Sequence, residues 1–314
     1  MKLFPYKSII YMLTSTFSGA KFIKHFTILK DKLSWSKNST VFCRFVQQKD
    51  LILFPVKHPI MSKIRISAVS YLNTIPFIYG LEKSGIQKNI AVERDVPAIC
   101  AQKLLNNEAD IGLIPVAALL NMNEYHILGD YCIGASSPVR TVALMSNNNI
   151  ADIQSIYLDP QSRSSNNLVR MLAHEYWNIS PKWLNSPSIP QQLENNTAAV
   201  FIGDKVFKEE KKYSHRFDLA ETWMNYTGKA FVFAAWISNK KLDPAFETEF
   251  NKALAFGLEN IRPAITEFSK PYPLTEKEIF VYLTKNIDFH LDKSKRESMK
   301  MFLDWVKAHP LPPG

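Results

Sequence analysis

An apolar run at residues 64–69 passes directly into the polar tetrapeptide Ser-Tyr-Leu-Asn at residues 70–73. The Thr-Ile-Pro sequence at residues 74–76 then favours the start of a helix, because proline is well tolerated in the first helical turn. This order predicts a strand, an elbow and a helix, with Asn73 and the free N–H groups of the helix at the carboxyl end of the strand. Small anions commonly bind at such positions in α/β proteins. The elbow therefore predicts both the fold class and a candidate site.

The hydrophobic pattern from residue 61 onward alternates between strand-like and helix-like segments. The predicted strands lie at residues 63–69, 89–95 and 111–113, and the predicted helices at residues 74–83, 97–106 and 116–121. This alternation predicts βαβ units and a parallel sheet.

A second alternating set follows a polar break at residues 147–152. It contains predicted strands at residues 155–158 and 198–202 and a predicted helix at residues 164–176. Another apolar strand, at residues 228–237, can return the chain to the first set. We therefore expect two α/β lobes with a ligand cleft between them: residues 61–145 plus 229–314 form the first lobe with C-terminal helices, and residues 146–228 form the second.

The positive charge is concentrated in residues 1–60. This segment holds ten Lys or Arg and two acidic residues, about +8 of the formal net charge of +9, so the remaining 254 residues are nearly neutral. A neutral globular part has no bulk attraction for nucleic acid. The chain also lacks a run of about 18 apolar residues that would predict a membrane-spanning helix. We interpret residues 1–60 as an extension that is disordered or not translated, with Met61 the alternative start; a signal peptide is the less favoured interpretation.

Three further polar segments adjoin predicted strands. They are residues 134–141, residues 159–165 and residues 201–204. Hydroxyl groups and free N–H groups at a helix start suit a carboxylate or a phosphate, although each segment also fits a simple turn or cap. With the elbow, these segments supply the candidate binding residues Ser70, Ser137, Ser162, Arg163, Ser164, Ser165, Gly203 and Asp204.

Several common kinds of site are not indicated by the sequence. Cys43, Cys100 and Cys132 have no CxxC spacing, and the seven histidines have no HxH or HExxH spacing, so no metal site is expected. No Gly-rich, Lys-containing phosphate loop and no GxSxG nucleophile motif occurs.

Six segments taken together resemble one enzyme family. The segments SYLNTIPFIYGL, ADIGLIPVAALL, SSPVRTVALMS, QSRSSNNLVRML, AVFIGDKV and DLAETWMNYTGKAFVFAAW occur in one order between residue 64 and about residue 306. They resemble the chorismate dehydratase of the futalosine route to menaquinone. Residues 1–60 lie outside this resemblance.

The resemblance implies a periplasmic-binding-protein-like type II fold acting as a cytoplasmic enzyme without a cofactor. Its reaction removes water from chorismate to give 3-[(1-carboxyvinyl)oxy]benzoate. The family's catalytic Asn matches Asn73, and a family hydroxyl residue, commonly Ser, matches Thr141. The family's Ser/Thr-rich segment matches residues 161–165. Because an amide is a poor base, our hypothesis is that Asn73 orients the substrate and stabilises developing charge, while the proton goes to a substrate carboxylate or to water.

Two alternatives stand beside this interpretation. The 1,4-dihydroxy-6-naphthoate synthase of the same pathway shares the fold but carries an SPCPND-like first elbow, where this chain has SYLNTIP. A non-catalytic solute-binding protein would carry a clean signal peptide or lipobox. The sequence contains no feature that predicts an oligomeric state or a partner other than the small-molecule substrate.

Overall fold

The computed structural model describes residues 41–47, 50–56 and 63–310. The chain divides into two units at Met61 and Ser62, which is where the alternating pattern begins. In the first unit, β1 (Val41–Gln47) and β2 (Asp50–Val56) pair as an antiparallel hairpin. Strands were not predicted there, and the rest of our interpretation of residues 1–60 falls outside the described residues.

The second unit contains two sheets and the helices that cover them. Its strands are β3 (Ile64–Val69), β4 (Ile90–Asp95), β5 (Ile111–Pro115), β6 (His126–Ala135), β7 (Val142–Ser146), β8 (Ser155–Tyr157), β9 (Lys182–Leu184), β10 (Thr197–Ile202), β11 (His215–Asp218), β12 (Phe231–Ser238) and β13 (Asp288–His290). Its α-helices are α1 (Ile75–Lys83), α2 (Pro97–Leu105), α3 (Arg163–Glu175), α4 (Val206–Glu209), α5 (Leu219–Thr227), α6 (Pro244–Glu259), α7 (Ile261–Phe268), α8 (Glu276–Val281) and α9 (Lys293–Ala308). None of these helices is long and apolar enough to cross a bilayer.

The six-stranded sheet, with its helices, forms the first lobe. Its order is β13-β6-β12-β5-β3-β4. β3 runs parallel to β4 and β5, as the βαβ pattern predicted, but β12 runs antiparallel to both β5 and β6. The expectation of a parallel sheet is therefore wrong for the part of the sheet that contains β5, β12 and β6. The reason is that β12 enters the sheet from the other lobe rather than through a local βαβ crossover.

The five-stranded sheet forms the second lobe, in the order β11-β7-β10-β8-β9. β7 lies in this sheet, antiparallel to β10 and to β11. The structure thus moves the first crossing from residue 146 to a point before Val142. The polar residues 147–152, which we interpreted as the crossing, instead form the connection beyond β7. The Ser146 hydroxyl accepts the Asn148 N–H at 3.0 Å there, and a 3₁₀ turn spans Ile150–Asp152.

The long strand β6 was missing from the sequence prediction. Two glycines interrupt its apolar residues, and its pairing with β12 contains register shifts, so a strict alternation of apolar and polar residues is absent. The three-residue strands β9 and β13 were also missed, because such short segments carry too little periodicity.

The start of α1 is fixed by a close contact with α6. A Cβ atom at Gly80 would overlap the carbonyl oxygen of Ala253, and one at Gly257 would overlap that of Pro76. Only glycine at both positions permits this backbone approach. Beneath it, Phe77 packs edge-on against Trp236 at 5.7 Å. The packing holds the helix that follows the elbow.

Candidate functional site

A cavity with an empty volume of about 550 Å³, partly open to solvent, lies between the two lobes. Its polar lining consists of Tyr71, Asn73, Thr141, Ser162, Ser164, Ser165 and the Gly203 backbone. Its apolar walls include Val69, Pro97, Ile133, Val142, Ile202 and Phe233. None of the described residues that line the cavity is charged, so any anion here would meet neutral donors.

The elbow contributes Asn73 from the first lobe. β3 ends at Val69, a 3₁₀ turn spans Leu72–Thr74, and α1 begins at Ile75 with proline in its first turn. The Asn73 side chain is half-buried, and its carbonyl oxygen accepts the Thr74 hydroxyl at 3.3 Å. The Asn73 side chain also lines the cavity. Ser70 is exposed and does not line the cavity.

Thr141 lies opposite, immediately before β7, and is fully buried. Its hydroxyl lies 2.8 Å from the hydroxyl of Tyr282, which is also buried. Burial raises the pKa of Tyr282 well above its usual range, and hydrogen bonding to Thr141 and to Asn73 opposes that shift. Tyr282 therefore stays protonated and links the two residues predicted to be catalytic.

Tyr282 was not predicted from the sequence. It begins a π-helical turn, Tyr282–Asn286, within the C-terminal helical segment. In the sequence of that segment it cannot be distinguished from the other apolar positions of an amphipathic helix. Single π turns occur often at functional sites. The sequence gives no local signal for such a turn, because Tyr282 lies 141 residues from its partner Thr141.

The N-terminus of α3 supplies hydroxyl groups from the second lobe. The Ser162 hydroxyl caps the helix by accepting the Ser165 N–H at 3.1 Å. The Ser164 hydroxyl accepts the Ala117 N–H at 3.1 Å, and Ala117 belongs to the first lobe. Arg163 is exposed and does not line the cavity. The positive end of the helix dipole adds to the attraction for an anion.

The turn after β10 contacts the elbow and also lines the cavity through the Gly203 backbone. The backbone of Gly203 has a φ of +67°, and a Cβ atom there would lie 2.9 Å from the Tyr71 ring. Both carboxylate oxygens of Asp204 lie 3.2 Å from the Leu72 N–H, which donates to them. Across the same junction the Tyr71 hydroxyl donates to the Gln161 side chain at 3.0 Å. Burial raises the pKa of Asp204 to about 6, while the Leu72 N–H opposes that shift.

The cavity brings six of the ten predicted site residues together and leaves four outside it. The four outside are Ser70, Ser137, Arg163 and Asp204. Ser137 is half-buried, and its hydroxyl donates to the Lys285 carbonyl at 2.7 Å, so its role is to hold the π turn in place. Strand ends predicted the general position of the site, but they did not indicate which neighbouring side chain turns inward.

The family comparison agrees with this geometry. A family model described as menaquinone biosynthesis matches residues 64–308. The chain belongs to this menaquinone biosynthesis family. The match begins at the first residue of β3 and ends at the last residue of α9, so it covers both lobes and the whole cavity.

Solved structures with similar folds identify the architecture of this menaquinone biosynthesis family member. Protein AF1704 from Archaeoglobus fulgidus has a TM-score of 0.63 and 16% identity, covering 80% of this chain and 99% of that one. A Candida albicans protein described as having the generic periplasmic binding protein fold has a TM-score of 0.57 and 14% identity, with 80% and 92% covered. The aliphatic sulphonate binding protein SsuA of Escherichia coli has a TM-score of 0.55 and 17% identity, with 79% and 87% covered. The periplasmic-binding-protein-like α/β fold predicted from the sequence is confirmed.

The lining of this family member's cavity is suited to one kind of chemistry. The cavity offers an amide, hydroxyl groups and helix N–H groups, but its described lining contains no carboxylate, imidazole or amine. Such a site can bind and orient an anion and can polarise a leaving oxygen. It supplies no strong base of its own.

Proposed function

We propose that the protein is chorismate dehydratase, which converts chorismate to 3-[(1-carboxyvinyl)oxy]benzoate and water. The observation that supports this most is the convergence of Asn73, Thr141 and the start of α3 on one uncharged cavity. The family assignment to menaquinone biosynthesis agrees with the proposal.

The substrate is a dianion with a small ring, and the cavity has donors for it. One carboxylate binds at the start of α3, where Ser162 and Ser165 lie next to helix N–H groups. The ring packs between apolar walls such as Ile133 and Phe233. Neutral donors can hold a carboxylate without the desolvation cost of burying a Lys or Arg side chain.

The reaction removes a proton from ring carbon C3 and the hydroxyl group from C4, and together these atoms make one water molecule. Formation of the aromatic ring supplies driving force, so orientation and polarisation are the protein's main contributions. The Thr141 hydroxyl, when it accepts a hydrogen bond from Tyr282, can donate a hydrogen bond to the departing C4 oxygen, which leaves as water once it takes up the proton released from C3. The Asn73 amide holds the substrate and stabilises charge that develops in the transition state. A substrate carboxylate or water takes the C3 proton, because the cavity lining offers no other base.

Incubation of the purified full chain with chorismate tests the proposal. Mass spectrometry of the products should show a mass lower than that of chorismate by one water molecule. Ultraviolet spectroscopy of the same products should show the absorbance of an aromatic ring. The Asn73→Ala variant, which removes the amide, is the matched control for contaminating activity. Binding of chorismate without turnover would favour a solute-binding role. If the protein neither binds nor converts chorismate, chorismate is rejected as the substrate. The substrate of the 1,4-dihydroxy-6-naphthoate synthase is then the next compound to assay.

A further inference from the structure

The segment that carries Asn73 is held by the opposite lobe. The Tyr71 ring lies against Gly203, the Tyr71 hydroxyl donates to Gln161, and the Leu72 N–H donates to Asp204. All three partners belong to the second lobe. Asn73 is the next residue along the chain, so these contacts between the lobes help to set its position in the cavity, together with its hydrogen bond to Tyr282 of its own lobe.

Within its own lobe the elbow is supported by the Tyr272 hydroxyl, which donates to the Ser70 carbonyl at 3.3 Å, and by the turn bond from the Thr74 N–H to the Tyr71 carbonyl. Thr74, the N-cap of α1, makes no side-chain hydrogen bond to the helix. The Ser70 N–H donates to the Asp95 carbonyl and so anchors the end of β3, but the next N–H with a side-chain partner is that of Leu72. Within the described residues, the Asp204 carboxylate is thus the side-chain acceptor that fixes the turn.

We propose that Asp204 is a positioning residue that places Asn73 in the cavity as the two lobes close. Asp204 does not line the cavity and does not touch the ligand. It acts through the Leu72 N–H, and it makes the assembly of the site conditional on closure. The expected effect on catalysis rests on the proposed function, whereas the expected effect on the Leu72 amide does not.

The surroundings of Asp204 make this contact dependent on pH. The titratable groups influenced by its charge are the hydroxyls of Tyr71, Tyr272 and Tyr282, and its neighbour Lys205 is paired with Asp159. These tyrosines remain protonated below pH 10, because burial raises the pKa of each. Asp204 is therefore the group of this cluster that titrates between pH 4 and pH 7.

The direction of the effect follows from the raised pKa of Asp204. In the closed form its pKa is about 6, against an ordinary value of 3.8 when solvated. The closed form therefore binds the proton more tightly, and closure weakens as the pH rises from about 4 to about 6 and is constant above that range. KM of the wild-type protein should rise across this interval relative to that of Asp204→Asn, by about tenfold or more.

Amide hydrogen exchange tests the contact without any substrate. In Asp204→Leu the Leu72 amide should exchange about tenfold faster than in the wild type, since one hydrogen bond to a carboxylate is lost. In Asp204→Asn the side-chain oxygen still accepts, so protection should stay near the wild-type value. The Arg65 amide, which donates to Asp110 at 2.9 Å near the other end of β3, is the internal reference and should not change. Unchanged Leu72 exchange in Asp204→Leu would overturn the proposed contact.

Kinetics with chorismate test the positioning role. Asp204→Leu should lower kcat about tenfold, and Asp204→Asn should restore kcat to within about threefold of the wild type. The ratio of wild-type KM to Asp204→Asn KM should depend on pH, and the matched charge control Asp110→Asn should keep the wild-type pH profile. Faster Leu72 exchange with an unchanged kcat would reject the positioning of Asn73. Faster Leu72 exchange in Asp204→Leu, together with no turnover of chorismate by the wild-type protein, would reject the proposed function and leave the contact standing.

Discussion

The two strand-to-helix elbows that face the cavity are built differently. The elbow before α3 is organised within its own lobe: Ser162 caps the helix, and Asp159 and Asn166 exchange hydrogen bonds of 3.1 and 2.8 Å. In the elbow before α1, Thr74 makes no capping hydrogen bond within the described residues, and the Leu72 N–H donates to Asp204 of the opposite lobe. A preformed elbow suits ground-state binding, whereas an elbow completed by closure suits interactions needed in the transition state. We therefore expect changes to the side chains of the α1 elbow itself to affect kcat and changes at the α3 elbow to affect KM, whereas the protonation of Asp204 acts on the closure equilibrium and so on KM.

The largest effect should come from the α1 elbow. Asn73→Ala should lower kcat by about 100-fold or more, which corresponds to about 2.7 kcal/mol of transition-state stabilisation. The fold should be intact, because Asn73 is half-buried and the Leu72 contact does not use its side chain. Steady-state kinetics and thermal unfolding of the same preparation measure both quantities. A kcat close to that of the wild type would show that the amide takes no part in the reaction.

The next effect should come from the hydroxyl pair that connects the two sides of the cavity. Thr141→Val keeps the side-chain shape but removes the hydroxyl that meets Tyr282, so kcat should fall about tenfold. Thr141→Ser keeps the hydroxyl and should retain most of the activity. The comparison is a ratio of kcat values measured at one pH. Equal activity of the Val and Ser variants would mean that the hydroxyl is not used.

A smaller effect should come from the α3 elbow. Ser165→Ala removes a hydroxyl at the start of the helix but leaves its N–H on the Ser162 cap. KM should rise by about fivefold with kcat little changed, since the carboxylate is bound equally in the ground and transition states. Ser294→Ala is the matched control, because that exposed serine also lies at the start of a helix, α9, but outside the cavity. A fall in kcat without a rise in KM would remove the proposed division of labour between the two elbows.

The sequence predicted the elements near both elbows better than the contacts between them. Strong periodicity located β3, α1 and α3 to within one or two residues of their observed bounds. The assignment of β7 to the wrong lobe arose because polar residues at its far end resembled a linker, and pairing with β10 decided the question.

The site was predicted only as far as local signals extend. Asn73, Thr141 and Ser162 lie beside strand or helix ends, where unpaired backbone groups create ligand sites, and all three line the cavity. Tyr282 and the role of Asp204 depend on contacts between segments that are 141 and 132 residues apart. Contacts at such separations are set by the packing of the lobes, and no pattern within a short window of sequence reflects them.

The smallest effect should follow removal of residues 1–60. The contacts that form both elbows and the cavity lie within residues 63–310, in a unit separate from the hairpin of β1 and β2. We expect a protein that begins at Met61 to match the full chain in melting temperature, kcat and KM. The two parameters also distinguish the elbows: a change in kcat alone would mean that the α1 elbow needs the extension, and a change in KM alone would point to the α3 elbow. An insoluble product would contradict the prediction that residues 1–60 are dispensable.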